Sequence, residues 1–176
     1  MRSLTPSAFS HIDPHLMPIV VLSDNLSSWF SRRIKRHTKG DYNHAMIMHY
    51  PGRVATQEIV LRDSPIGGFL TGTHRLKLWR WPGTTQEQRA FMLARIEHDL
   101  AKPWYKRRYD PLGLVGQLFR VKPINNPWAY YCSEWVASVV REAGIDMGRY
   151  PSPADIDRHC IALGWECVGV FDPHEV

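Results

Sequence analysis

The chain carries three cysteines, and their surroundings differ. Cys132 stands in Tyr131-Cys132-Ser133-Glu134, directly ahead of a stretch in which Trp135, Val136, Val139, Val140 and Ala143 share one helical face before Gly144. A thiol at the first turn of a helix meets unpaired N–H groups and the positive end of the helix dipole. Both favour a thiolate, and the N–H groups supply part of an oxyanion hole. That is the chemistry of an acyl-transfer nucleophile. Cys160 and Cys167 lie near His159 at a spacing that matches no standard zinc pattern, and they read as buried free thiols. An odd cysteine count offers no paired disulfide framework.

A cysteine nucleophile calls for an imidazole partner, and the chain has nine histidines. His44 is the best placed, because it opens an apolar run, His44–Tyr50, after Gly40-Asp41-Tyr42-Asn43. His49 lies on the same run but on its opposite face, and His74, after a glycine-containing loop, is the main rival. The base in turn needs an acceptor that fixes its tautomer. Glu58 is the candidate: a turn at Pro51-Gly52 sends Arg53–Leu61 back beside His44–Tyr50. A one-residue slip in register would put Gln57 there instead.

The elements that position these residues follow from periodicity and breakers. Residues 1–16 show no pattern and read as an irregular lead-in. Pro18–Leu22 reads as a strand, Ser23-Asp24-Asn25 as a turn, and Ser27–His37 as a helix ended by Gly40 at C′. Ser64–Thr73 is loop-like, and Arg75–Trp81 alternates as a third strand of the region. Thr84 and Glu87 have the spacing of a capping box for a helix reaching Ala101, with Phe91, Met92, Ala94, Ile96 and Leu100 as its buried stripe. Residues 103–131 form a long aromatic- and proline-rich stretch with a short helix near Leu112–Phe119; Trp104, Tyr109 and Trp128 are candidate cleft walls. Pro153–Leu163 reads as a helix and Trp165–Phe171 as a last strand. One domain of α/β or α+β class accounts for all 176 residues.

Composition narrows the class further. With 44% hydrophobic and 22% charged residues the chain is an ordinary globular one. Its net charge of +5 is concentrated in Arg32, Arg33, Lys35, Arg36 and Lys39 and in Lys106, Arg107 and Arg108. These clusters offer peripheral contact with anionic surfaces or an acidic substrate. No aromatic ladder interleaves them, so nucleic acid is not an expected partner. No apolar run approaches the roughly 20 residues of a membrane span, and no signal segment is seen, so a cytoplasmic protein is expected.

Taken together, the motifs resemble those of the permuted NlpC/P60 superfamily of papain-like enzymes, in particular its YiiX/YaeF-like group, with the lecithin:retinol acyltransferase-like proteins as cousins. Asp41-Tyr42-Asn43-His44-Ala45-Met46-Ile47 resembles that group's Tyr-Ser-His-hydrophobic strand, with Asn43 in place of Ser. Tyr131-Cys132-Ser133-Glu134 resembles its nucleophile motif, Tyr109-Asp110 its Tyr-Asp loop, and Ser152-Pro153-Ala154-Asp155 its downstream turn. The resemblance spans roughly residues 18–170. It implies an α+β fold, a small antiparallel sheet or half-barrel packed against helices. It also implies Cys132 as nucleophile, His44 as base and Glu58 as the third polar residue. Thr56-Gln57-Glu58 matches the family's third segment only loosely.

The implied activity is that of a thiol hydrolase of amidase or peptidase type, acting on cell-wall peptide or another small amide through a thioester. The Cys132 N–H, with Tyr42 as a second donor, would hold the oxyanion. No cofactor and no metal are implied. A lipid-directed acyltransferase or thioesterase and a non-catalytic binding module on the same fold are the alternatives.

Overall fold

The computed structural model describes residues 2–27, 29–107, 131–148 and 151–175. Six antiparallel strands form one sheet in the order β4-β3-β2-β1-β5-β6. They are β1 (Ile19–Asn25), β2 (His44–Tyr50), β3 (Arg53–Gln57), β4 (Leu61–Pro65), β5 (His74–Arg80) and β6 (Glu166–Phe171). Among the described residues the helices are α1 (Trp29–Thr38), α2 (Gln86–Ala101), α3 (Cys132–Arg141) and α4 (Pro153–Ala162). The fold class is therefore α+β.

Both faces of the sheet are covered, which is why the central strand reads as a continuous buried run rather than an alternating one. On one face Val20, Leu22, Ala45, Ile47, Ala55 and Trp79 meet Met92 and Ile96 of α2, Trp135, Val136 and Val139 of α3, and Ile156 and Cys160 of α4. On the other, Val21, Met46, Met48, Val54, Leu76 and Leu78 pack under Leu4, Phe9, Ile12 and Met17. The N-terminal segment expected to be irregular is thus a second core layer. It carries 3-10 turns at Pro6–His11 and Pro14–Leu16, and Ser3 bridges Val170 of β6.

Three other expectations shift, each for a local reason. Ser23–Asn25 continues β1 instead of turning, because the Asp24 carboxylate is buried against Lys35 Nζ at 2.7 Å and Asn43 Nδ2 at 3.0 Å. The return strand stops at Gln57 and reverses, so that residues 61–65, divided between strand and loop in the sequence reading, pair back on β3 as β4, with Gln57 opposite Leu61. The capping box is Thr85 with Gln88, one residue beyond the expected pair: Thr85 Oγ1 accepts from Gln88 N–H (3.1 Å) and Gln88 Oε1 from Thr85 N–H (2.9 Å). Gly40 does not supply the left-handed residue after α1, which is Lys39 (φ 51°). Its hydrogen is required because a Cβ there would collide with Ala154 of α4.

The basic cluster on α1 is partly committed, Lys35 to Asp24, while Arg32 and Arg36 are exposed. Arg108, Tyr109, Asp110, Leu112–Phe119 and Trp128 lie outside the described residues. Among the described residues no helix is long and apolar enough to cross a membrane.

Candidate active site

Cys132 is the first residue of α3, and Tyr131 precedes it in extended conformation with no side chain capping the helix. The N–H groups of Cys132 and Ser133 face the thiol. Two hydrogen bonds hold this end of the helix: Ser133 Oγ donates to Pro151 O (2.7 Å), and Trp135 Nε1 donates to the buried Asp99 carboxylate (3.1 Å). Arg95 and Lys102 at 2.9 and 2.6 Å neutralise that carboxylate and keep it ionised against its burial. α3 packs on β2, and the thiol meets the N–H of Ala45, the residue after His44.

The thiol is 5% exposed. Burial pushes its pKa up, and the N–H groups of Ala45, Ser133 and Cys132 with the Ser133 hydroxyl only partly counter this. The helix start expected to yield a thiolate thus holds a neutral thiol, since desolvation outweighs the dipole and its donors.

His44 opens β2 opposite Ser23 of β1. Its lead-in is fixed by Asn43, whose backbone N–H donates to Ser23 O (3.0 Å) and whose amide donates to Asp24. The ring is half-buried, its Nε2 lies 2.8 Å from the Thr56 hydroxyl, and Phe69 stacks on it at 6.3 Å between centroids, 14° from parallel. Burial, and then the nearby His74, push its pKa down to about 4, so the imidazole is neutral at ordinary pH. The Thr56 hydroxyl can accept from Nε2–H or donate to Nε2; in the first arrangement Nδ1 is the nitrogen left with a lone pair to take a proton.

The structure thus brings Cys132 and His44 to the same end of β2, and it gives His44 a third group that differs from the expected Glu58. The pairing of Met46 with Thr56, continued by two residues, would have set Glu58 opposite His44. β3 ends first, at Gln57, and the Glu58 carboxylate turns out to an ion pair with Arg62 at 2.6 Å. His44 reaches diagonally to Thr56, a wholly buried residue on the same face of the sheet. Gln57, the alternative, donates to Arg107 O (3.0 Å).

Tyr42 is buried and leans towards β5, with Lys77 Nζ 5.8 Å from its ring centre. Burial, and then Asp157, hold its hydroxyl in the neutral form. His49 pairs with Asp63 at 3.1 Å. His74, the rival base, meets Phe69 edge-on at 5.9 Å, and its Nδ1 is held by Thr71 and Thr73. Trp104 stands exposed on a 3-10 turn after α2.

Comparison with protein-family models and with curated proteins finds no match to this chain. The residues themselves carry the chemistry that follows. Among the described residues no three His, Cys, Asp or Glu side chains are grouped to hold a metal ion. Cys160 is wholly buried, and His159 Nδ1 is occupied by Asp155 O at 2.8 Å.

Sequence reasoning missed Thr56 and Phe69. Thr56 shares the parity of Glu58 on the return strand, and the only signal favouring it was how soon that strand would end. Phe69 sits in a loop between glycines, where periodicity says nothing.

Proposed function

We propose that this chain is a thiol-dependent hydrolase of amidase or peptidase type on a permuted papain-like fold. The observation that carries the reading is the Cys132 thiol at the uncapped start of α3, against the N–H of Ala45. His44, which opens the same strand one residue before Ala45, is a neutral imidazole with Nε2 2.8 Å from the Thr56 hydroxyl.

Because thiol and imidazole are both neutral at rest, His44 acts as a general base in the attack rather than as half of a standing ion pair. Its Nδ1 takes the Cys132 proton as Sγ bonds to an amide or ester carbonyl carbon. The carbonyl oxygen becomes an oxyanion facing the Cys132 N–H. The imidazolium then protonates the leaving amine or alkoxide, and a thioester remains on Cys132. Water, deprotonated by His44, attacks the thioester and releases the acid, and Sγ takes back its proton. With the Thr56 oxygen accepting from Nε2–H, the lone pair lies at Nδ1, the tautomer that this sequence needs.

Incubation with a panel of activated acyl esters and peptide anilides, read by intact mass, tests the proposal. An acyl adduct that maps to Cys132, turns over, and disappears in Cys132→Ser is the expected result. Equal labelling of Cys160 or Cys167, or turnover that survives the substitution, overturns it.

A further inference from the structure

We propose that Phe69 is a positioning residue for His44, its ring fixing the plane of the imidazole and keeping water off that face while His74 braces it edge-on. The proposal rests on the reading of His44 as a base.

Three observations converge on it. The His44 and Phe69 rings are nearly parallel, 14° apart at 6.3 Å, and His74 meets Phe69 edge-on, 82° away at 5.9 Å, so Phe69 contacts two imidazoles in two different aromatic geometries. Next, the segment that carries Phe69 is anchored at both ends and packs Phe69 and Leu70 against the core under the sheet. A Cβ added at Gly67, Gly68 or Gly72 would meet nothing within 4 Å, whereas the segment's ends are pinned. Ile66 is buried and its N–H donates to Gly52 O (2.9 Å); Leu26 N–H donates to Thr73 O (2.7 Å). Finally, His74 is oriented on its own account by the Thr71 and Thr73 hydroxyls at 3.2 and 3.1 Å. The brace therefore does not depend on the residue it supports.

The consequence is electrostatic. His44 hydrogen-bonds to a hydroxyl, and among the described residues no carboxylate is bonded to it to offset the loss of water around its charged form. Among the described residues the ionisable group that acts on His44 is His74 from β5; those that act on His74 are Asp24 from β1 and Glu58 from the β3–β4 turn. A protonated His74 repels a protonated His44 and works in the same direction as the aromatic cover.

The test is an NMR pH titration of the histidine Cε1–H resonances in the full chain, with His44 assigned by His44→Gln. In the parent chain His44 titrates near 4. In Phe69→Ala and in Phe69→Gln its midpoint rises by about one to two units as water reaches the ring, while Phe69→Tyr restores the low value. Gly67→Ala, a change in the same loop with open space around it, leaves the midpoint where it was. A His44 midpoint that stays low in whichever of the Ala and Gln variants keeps native near-UV circular dichroism overturns the proposal. The titration needs no turnover, so a null result here is separable from a failure of acyl trapping at Cys132.

Discussion

Two places in the molecule bury a thiol among polar groups, and they are built oppositely. At the head of β2, Cys132 meets backbone N–H groups, and His44 opens the strand with a hydroxyl as its hydrogen-bond partner; among the described residues no full charge is bonded to either group. Under α4, Cys160 and the half-buried Cys167 lie near an ion pair. Lys77 Nζ is 2.9 Å from Asp157, whose other bond comes from Trp79 Nε1 at 2.7 Å, and the ammonium lies 4.5 Å from the centre of the Trp79 ring. Burial raises all three thiols, but near Asp157 the carboxylate raises Cys160 further, whereas at the head of β2 the lesser contributions all lower Cys132. The first place holds two neutral groups, which in the proposed reaction exchange a proton. The second holds a standing ion pair.

Removing the thiols one at a time breaks the comparison most directly. Cys132→Ala is expected to lower turnover of an acylating substrate by roughly a thousandfold or more, since a nucleophile has no substitute. Cys160→Ala and Cys167→Ala leave turnover within about twofold, because neither lies where a carbonyl would bind. Alkylation sharpens the point. A standing thiolate would react at a rate independent of pH between about 5 and 8, whereas the raised thiol at Cys132 is expected to react faster with each unit of pH. A flat profile would refute the neutral resting pair.

The ion pair is where stability is expected to suffer. Asp157→Ala strands the Lys77 ammonium and the Trp79 N–H together, and loss of one partner of a largely buried pair typically costs about 3 kcal/mol. Urea unfolding should show that loss in the midpoint, with the slope unchanged. A change under about 1 kcal/mol would mean that water reaches the pair and that the contrast with the head of β2 is overdrawn.

Acid separates the two regions again. His44 has a folded value near 4, below its unfolded value of about 6.5, so the unfolded chain binds the proton first as pH falls. The stability associated with neutral His44 is therefore complete above about pH 6.5 and is lost progressively as pH drops towards 4. At roughly 1.4 kcal/mol per unit of difference, the loss reaches about 3 kcal/mol at the lower end. His44→Gln should flatten that part of the pH–stability curve. In the parent chain the acid limb of kcat/KM should likewise lie near 4 and not near 6.5.

How much of this was legible beforehand depends on what each residue answers to. The helix face of Trp135, Val136, Val139 and Val140 and the apolar run from His44 are set by local periodicity, and both stand where the pattern put them. Phe9 and Ile12 looked structureless because their partners, Val21, Met46 and Leu78, come from three different strands and impose no period on residues 1–16. Asp24 read as a turn residue because its two partners lie 11 and 19 residues away. In the site, Cys132 and His44 advertised themselves by chemistry, but the third group was decided by where β3 stops. A pairing pattern alternates the same way whether a strand ends at Gln57 or at Leu61, so parity alone could not choose between Thr56 and Glu58.

That choice supplies the smallest expected effects and the finest discrimination. Thr56→Val keeps the shape and removes only the oxygen 2.8 Å from His44 Nε2, so the imidazole loses the hydrogen bond that orients it. A fall in kcat of about tenfold is expected, with KM nearly unchanged, because a misoriented base penalises proton transfer and not binding. Thr56→Ser, which retains the hydroxyl, should recover most of it. Glu58→Ala should do almost nothing, since the carboxylate is exposed and engaged with Arg62, and such a surface pair is worth about 0.5 kcal/mol. Were the order reversed, with Glu58→Ala costing tenfold and Thr56→Val silent, the carboxylate would have to swing inward when substrate binds. The hydroxyl seen at Nε2 would then be only a resting partner. Measuring kcat for both variants on one substrate decides which residue orients the base.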